Sequence, residues 1–259
     1  DDEWGERMAR VARNPVTVGT RGQADVDVAA TQLGADDSGA QEVELVLDDA
    51  TYHFTLPLPG AFNVANAALA VALAVEVGVD PDAFIAGLAE ATVPGRMQRI
   101  DNGQDFVAVV DYAHKPAAVA AVLDTLRGQV SGRIGVALGA GGDRDASKRP
   151  VMGREAAARA DLVIVTDDNP RTEDPAAIRA AVLEGVRQVA GAGTEIREVG
   201  HRGEAIDQLV DWAQPGDAVI VVGKGHEVGQ IVGTTTHHFD DREEMARALQ
   251  ARAHRAGGK

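Results

Sequence analysis

The 259-residue sequence contains no cysteine, which excludes a disulfide framework and any thiolate-held metal. Aromatic residues make up only 3%, so a core must be built from Val, Ala, Leu and Ile. Positive charge is scarce: 25 Lys and Arg stand against 40 Asp and Glu, a net charge of −15. A nucleic-acid binder carries a basic face, and this balance argues against one. Much of the acid reads as solvated surface. No apolar run approaches the ~20 residues of a membrane span. No signal peptide opens the chain, so a cytoplasmic protein without a membrane partner is expected. Nowhere does Gly-x4-Gly-Lys-Ser/Thr occur, so a P-loop is missing too.

What is present is a 45% hydrophobic composition, enough for a large core. Residues 16–58 carry short apolar bursts, "VTVG", "DVDVAATQL", "VELVLD" and "TYHFTLPLP", split by Gly and Asp clusters. They predict a small antiparallel patch of strands. The Ala-rich stretch "FNVANAALAVALAVE" predicts a helix, and "PDAFIAGLAEA" a second, shorter one. After "TVPGRMQRI" the grammar changes to apolar strands alternating with helices. Near-continuous apolar strands between helices predict a parallel sheet covered on both faces. The fold class expected is therefore α/β, with a Rossmann-like C-terminal domain over 98–259. The opening "DDEWGERMAR" lacks an initiator Met, and the chain is expected to be a piece of something longer.

In open α/β sheets ligands bind at the carboxyl ends of the strands. Here those ends collect the unusual residues: Asp111, Tyr112 and His114; "GAGGDRD" with Arg144; "DDNPR" at 167–171; and "GKGHE" with Lys224, His226 and Glu227. Opposite charges beside a rigid Pro suit a ligand that itself carries both signs. Plainer readings stand beside each. "GAGGDRD" alone is equally a tight βα turn. Asp174 reads as an N-cap with Pro175 at the first helical position. His53, His237 and His238 read as strand residues rather than metal ligands. Asn63 and Asn66 both lie near a helix start, where only one can cap, so at least one contacts something else.

The stretches "DDEWG", "LPGAFNVANAALA", "VPGRMQRI", "VVDYAHKP", "GAGGDRDASKRP", "TDDNPRTEDP" and "VGKGHE" occur in this order. Together they resemble the Mur ligases, and within them the branch that adds meso-diaminopimelate to UDP-N-acetylmuramoyl-L-alanyl-D-glutamate during peptidoglycan assembly. The resemblance covers essentially the whole chain. It implies that residues 1–97 are the C-terminal part of an ATPase domain and 98–259 the complete third domain. The P-loop, the carbamylated lysine and most ligands of Mg2+ would lie upstream, so that this piece alone would be inactive.

The implied reaction is ATP-dependent amide formation through an acyl phosphate, by a monomer whose partners are small molecules: ATP, the UDP-linked dipeptide and meso-diaminopimelate. By motif match, Arg171 and Arg144 take a carboxylate. Asp168, Asn169, Glu227 and the backbone of Gly223 hold the polar remainder, including the distal ammonium, and Pro170 stiffens the loop. On the ATP side, Asn63 and Asn66 match an adenine-contacting helix start. Arg96 matches a phosphate-reaching arginine, Asp111 a residue at the ribose, and His114 borders that site. Arg is the planar, bidentate partner a carboxylate requires. Lysine as acceptor would lack the distal carboxylate, so the intact "DNPR" favours diaminopimelate. A lysine-using relative and a non-catalytic amino-acid-binding module are the alternatives.

Overall fold

The computed structural model describes residues 3–22, 25–36 and 39–257. Asp1 and Asp2 of the "DDEWG" motif lie outside them; of the tail "RAGGK", for which its composition predicts fraying, the first three residues instead continue a helix and the last two lie outside the described residues. The chain forms two compact units, residues 1–93 and 94–259.

In the first unit, α1 (Glu3–Val11) is followed by four strands, β1 (Val18–Gly19), β2 (Val28–Ala35), β3 (Gln41–Leu47) and β4 (Ala50–Leu56). They form one sheet in sequential order. β2, β3 and β4 are antiparallel, as the alternating bursts imply, but β1 joins β2 in parallel. The period-2 burial of β3 shows why the pattern reads as a half-covered strand. Its buried face meets α2 (Ala61–Glu76), which supplies Val64, Ala68 and Val71 to the core. α3 (Pro81–Ala89) starts at Asp80, whose side chain caps the Asp82 amide, with Pro81 in the first turn. His53 lies exposed on β4, 3.8 Å from Glu44.

The second unit contains β5 (Gln98–Arg99), β6 (Val107–Asp111), α4 (Pro116–Arg127), β7 (Ile134–Leu138), α5 (Lys148–Ala157), β8 (Leu162–Val165), α6 (Pro175–Val189), β9 (Glu195–Glu198), α7 (Arg202–Trp212), β10 (Ala218–Val222), the hairpin β11 (Gly229–Val232) and β12 (Thr235–His238), and α8 (Asp241–Gly257). The main sheet runs β5-β6-β10-β7-β8-β9, all parallel except the edge strand β5. One face is packed by α4, α5 and α6 through Leu123, Met152 and Val182. The other is packed by α7 and α8 through Ile206, Leu209 and Met245. Every residue of β7, β8 and β10 is buried, which accounts for their unbroken apolar runs.

Strand order matters for function. The chain steps from β6 over β10's place to β7, proceeds outward to β9, then returns to fill the gap with β10. Connections after β6 and β10 therefore leave toward opposite faces and open a crevice at the carboxyl ends. The change of pattern along the sequence predicts a domain join near Met97. The compact units divide earlier, between Val93 and Pro94. Met97 belongs with the second unit: its side chain is in the core, and its amide donates to Asp111.

Candidate functional site

A cleft of about 570 Å³ opens at the carboxyl ends of β6, β7, β8 and β10. Its lining includes the cations Lys115, Arg144, Lys148 and Arg171 and the acids Asp145, Asp168 and Glu227. Asn169 and Gly223 also line it. The residues expected to hold an amino acid thus converge, except Pro170, which is buried behind them. A Cβ on Gly142 would overlap the Pro170 carbonyl oxygen, so only glycine lets the β7 loop pass this close to the β8 loop.

Arg171 adopts φ 52, the left-handed region that a side chain rarely occupies. The hairpin after β10 holds it there. Its amide donates to the Ile231 carbonyl at 3.0 Å, and its carbonyl accepts from the Gly233 amide at 2.7 Å. Strain of this kind persists only where surroundings over-determine it, and it is concentrated at functional sites. The guanidinium donates from Nη1 to the Gly142 carbonyl at 2.7 Å. Arg144 is exposed at the cleft edge and donates to the Asp143 carbonyl at 3.0 Å.

Of the acids, Asp168 is buried and Glu227 half-buried. Asn169 Nδ2 donates to Glu227 Oε2 at 2.9 Å, tying the β8 loop to the β10 loop. Beneath them lies Arg202, fully buried, which donates to both oxygens of Asp241 at 2.7 Å. It also donates to the carbonyls of Val222, at the end of β10, and Asp167, beyond the end of β8. These strands are not neighbours, since β7 separates them. One guanidinium therefore sets the spacing between the two site loops. Burial disfavours its charge, but Asp241, Asp168 and Glu227 outweigh this and hold its pKa above the usual range.

Two further charged groups have no role assigned by the sequence. Lys148, at the start of α5, lines the cleft and donates to the His114 carbonyl at 2.8 Å. Burial pushes its ammonium below the usual lysine range, against the pull of Asp168 and Asp145. Lys224, inside "GKGHE", was visible as a strand-end residue but had no assigned role; it is wholly buried.

The residues expected at a nucleotide behave less uniformly. Arg96 is exposed, with its guanidinium 4.5 Å from the Tyr112 ring centre. Tyr112 also meets His114 edge-on at 4.7 Å and His226 at 5.0 Å. His114 Nδ1 donates to the Tyr112 carbonyl at 2.9 Å. Asp111 is only 3% exposed, and its two oxygens accept from the amides of Met97 and Ala113, each at 2.7 Å. Burial raises its pKa despite those amides and Arg96. In this geometry Asp111 clamps the chain at Met97 and does not present its carboxylate to the cleft.

In the first unit, the α2 cap is Gly60, not an asparagine. Asn63 is buried, donates to the Pro59 carbonyl at 2.8 Å and accepts from Asn66 at 3.2 Å. Asn66 is exposed. Among the described residues no group of three or more His, Asp or Glu could hold a metal ion.

The family model for "Mur ligase, glutamate ligase domain" matches residues 95–225, and the chain belongs to the Mur ligase family. Among similar proteins, the UDP-N-acetylmuramoyl-L-alanyl-D-glutamate–2,6-diaminopimelate ligase of Corynebacterium glutamicum is 61% identical over 96% of this chain and 49% of its own length. The protein of the same description from Streptomyces coelicolor is 42% identical over 96% of this chain and 50% of its own. This chain thus spans about half the length of the curated relatives it matches. A solved structure with that ligase description superimposes with a TM-score of 0.62 at 38% identity, covering 91% of this chain and 48% of the other.

Proposed function

We propose that this chain carries the amino-acid-accepting part of an ATP-dependent ligase that joins meso-diaminopimelate to the D-glutamate side-chain carboxylate of UDP-N-acetylmuramoyl-L-alanyl-D-glutamate. The observation that carries the reading is the convergence of Arg171 and Glu227 on one cleft sized for a small molecule bearing both signs. Relatives at 61% and 42% identity bearing that ligase description support it. In this reading residues 1–97 contribute the end of an ATPase domain, and the complete protein works in the cytoplasm as a monomer.

Diaminopimelate has two ammoniums and two carboxylates. The attacking amine must stay free, so the far end is gripped. Arg171 and Arg144 receive the distal carboxylate, while Asp168 and Glu227 receive the distal ammonium. Gly223 lets the backbone come close, since a Cβ there would lie 2.6 Å from Asp168 Oδ2. ATP transfers its terminal phosphoryl group to the D-glutamate side-chain carboxylate, leaving ADP, and the free amine attacks the resulting acyl phosphate, giving the amide with loss of inorganic phosphate and a proton. Arg96, exposed beside Tyr112, fits a nucleotide phosphate, with His114 bordering it; Asn63 and Asn66 remain the adenine candidates in the first unit. The chain alone, without a P-loop, is expected to bind but not to turn over. Lysine lacks the distal carboxylate and would leave Arg171 without its acid, a penalty of about 1–3 kcal/mol, or roughly 5- to 150-fold in affinity.

Calorimetric titration of Arg171→Ala tests this. A loss of that size for diaminopimelate, with nucleotide affinity unchanged, is expected. Equal losses for both ligands, or turnover by the unaltered chain alone, would overturn the assignment.

A further inference from the structure

We infer that Lys224 is a positioning residue that sets the donor polarity of Asn169, and through it the preference for an amino acid whose ammonium sits beside a carboxylate. This rests on the amino-acid site proposed above.

The side chain of Lys224 is 0% exposed. A buried ammonium persists only when charge and hydrogen bonds compensate it. Its neighbours explain how it comes to point inward. Gly223 has φ 119 and Gly225 φ 53, backbone conformations that side-chain-bearing residues avoid. A Cβ at Gly225 would lie 2.6 Å from the Gly95 carbonyl oxygen. The doubled-back loop drives the lysine under the cleft rather than out of it.

Its partners give the consequence. Lys224 Nζ donates to Asn169 Oδ1 at 3.0 Å, and the Ile231 amide donates to the same oxygen at 3.0 Å. Neither donor can accept, so the orientation of the Asn169 amide is determined. Oδ1 faces inward and Nδ2 faces Glu227, to whose Oε2 it donates at 2.9 Å. Lys224 also reaches that same Oε2, at 3.4 Å. Glu227 Oε1 has no hydrogen bond among the described residues and is left as the acceptor toward the cleft. The second hydrogen on Asn169 Nδ2 is left as the donor.

A ligand at this pair must bring a donor to Glu227 and an acceptor to Asn169. The ammonium-plus-carboxylate end of an amino acid does both; an alkyl ammonium, as in lysine, satisfies only the first. Removing Lys224 leaves only the Ile231 amide on Oδ1, so the Nδ2 donor that meets the carboxylate beside Arg171 and Arg144 is held less firmly while the ammonium keeps Glu227.

The test titrates the full chain and its Lys224→Met variant with meso-diaminopimelate and, separately, with L-lysine, following thermal unfolding in parallel. Diaminopimelate affinity should fall about tenfold or more while lysine affinity moves less than about threefold, so that the preference collapses. A purely structural lysine would weaken both ligands together or neither, and either result overturns the inference. Asn169→Asp provides the second variant: it keeps the acceptor for Lys224, removes the Nδ2 donor and sets a carboxylate against Glu227. It should show the same collapse, and if Lys224→Met does not fold, retained preference in Asn169→Asp overturns the inference. Binding of neither ligand by the unaltered chain would overturn the proposed function itself.

Discussion

The two ends of the parallel sheet hold similar charged side chains and use them in opposite ways. At the amino end the acids that precede β8 and β10 are closed on partners. Asp217, before β10, accepts from Arg133 Nη2 at 2.6 Å, from the Arg133 amide at 2.8 Å and from the Gln214 amide at 2.9 Å. Asp161, before β8, accepts from Arg127 at 2.9 Å and from the Ile134 amide at 2.8 Å. The Arg133 guanidinium also lies 4.1 Å from the Trp212 ring centre. At the carboxyl end the deepest layer is closed in the same manner, by Arg202 and Asp241, but the layer above is open: Arg171 and Glu227 face a cleft with hydrogen-bonding capacity left over. Saturated charge pins strands together, whereas unsaturated charge in a concave, pre-arranged place is capacity for a ligand. A sheet with its ligand-binding crevice at the carboxyl ends can spend its amino ends on stability.

The comparison can be broken most severely at the closed layer under the site. Asp241→Ala would leave Arg202 buried without its acid, and a loss of about 3–5 kcal/mol is expected in denaturant unfolding. A loss below ~1 kcal/mol would mean that this pair does not set the loop spacing. Next is Asp217→Ala at the opposite end. Three hydrogen bonds at about 1 kcal/mol each give an expected loss of roughly 2–3 kcal/mol, with diaminopimelate affinity in the folded protein unchanged. A fall in affinity would show that the two ends are coupled. Arg171→Ala should invert the pattern, changing stability by less than about 1 kcal/mol while costing the affinity stated above.

The smallest effect is in pH. Burial alone would raise the pKa of Asp217, but Arg133 and the two amides prevail and hold it below the usual carboxylate range. A depressed carboxylate adds stability above its unfolded value, near 3.8, and that contribution is lost as pH falls through the lower folded value. The stability gap between the unaltered protein and Asp217→Asn should therefore narrow as pH falls from about 5 to 2. A gap that widens on acidification would reverse the sign assigned to this group.

Much of the second unit was legible because its local signals agree with its fold. Buried parallel strands leave unbroken apolar runs such as "LVIV" and "AVIVV", and Asp174-Pro175 announces a helix start that forms as read, with the Asp174 side chain accepting from the Ala176 amide. The candidate amino-acid residues were legible because polar residues at strand ends stand out. Their supports were not. Arg202 looks like any surface helix residue, and only the return of β10 between β6 and β7 buries it. Asp111 reads equally as a site residue or a clamp until its oxygens are seen on two backbone amides. Parallel pairing of β1 was hidden because its two paired residues carry no pattern.

By itself, the order of residues determined which segments become helices and strands, that the second unit is α/β, and which short stretches carry charge at strand ends, since these follow from side-chain period and backbone preference along the chain. Only the tertiary structure decided which charges are spent on one another and which remain for a ligand. That distinction depends on distances between loops remote in sequence, such as Asn169 and Glu227, and on how thoroughly packing removes water from each of them.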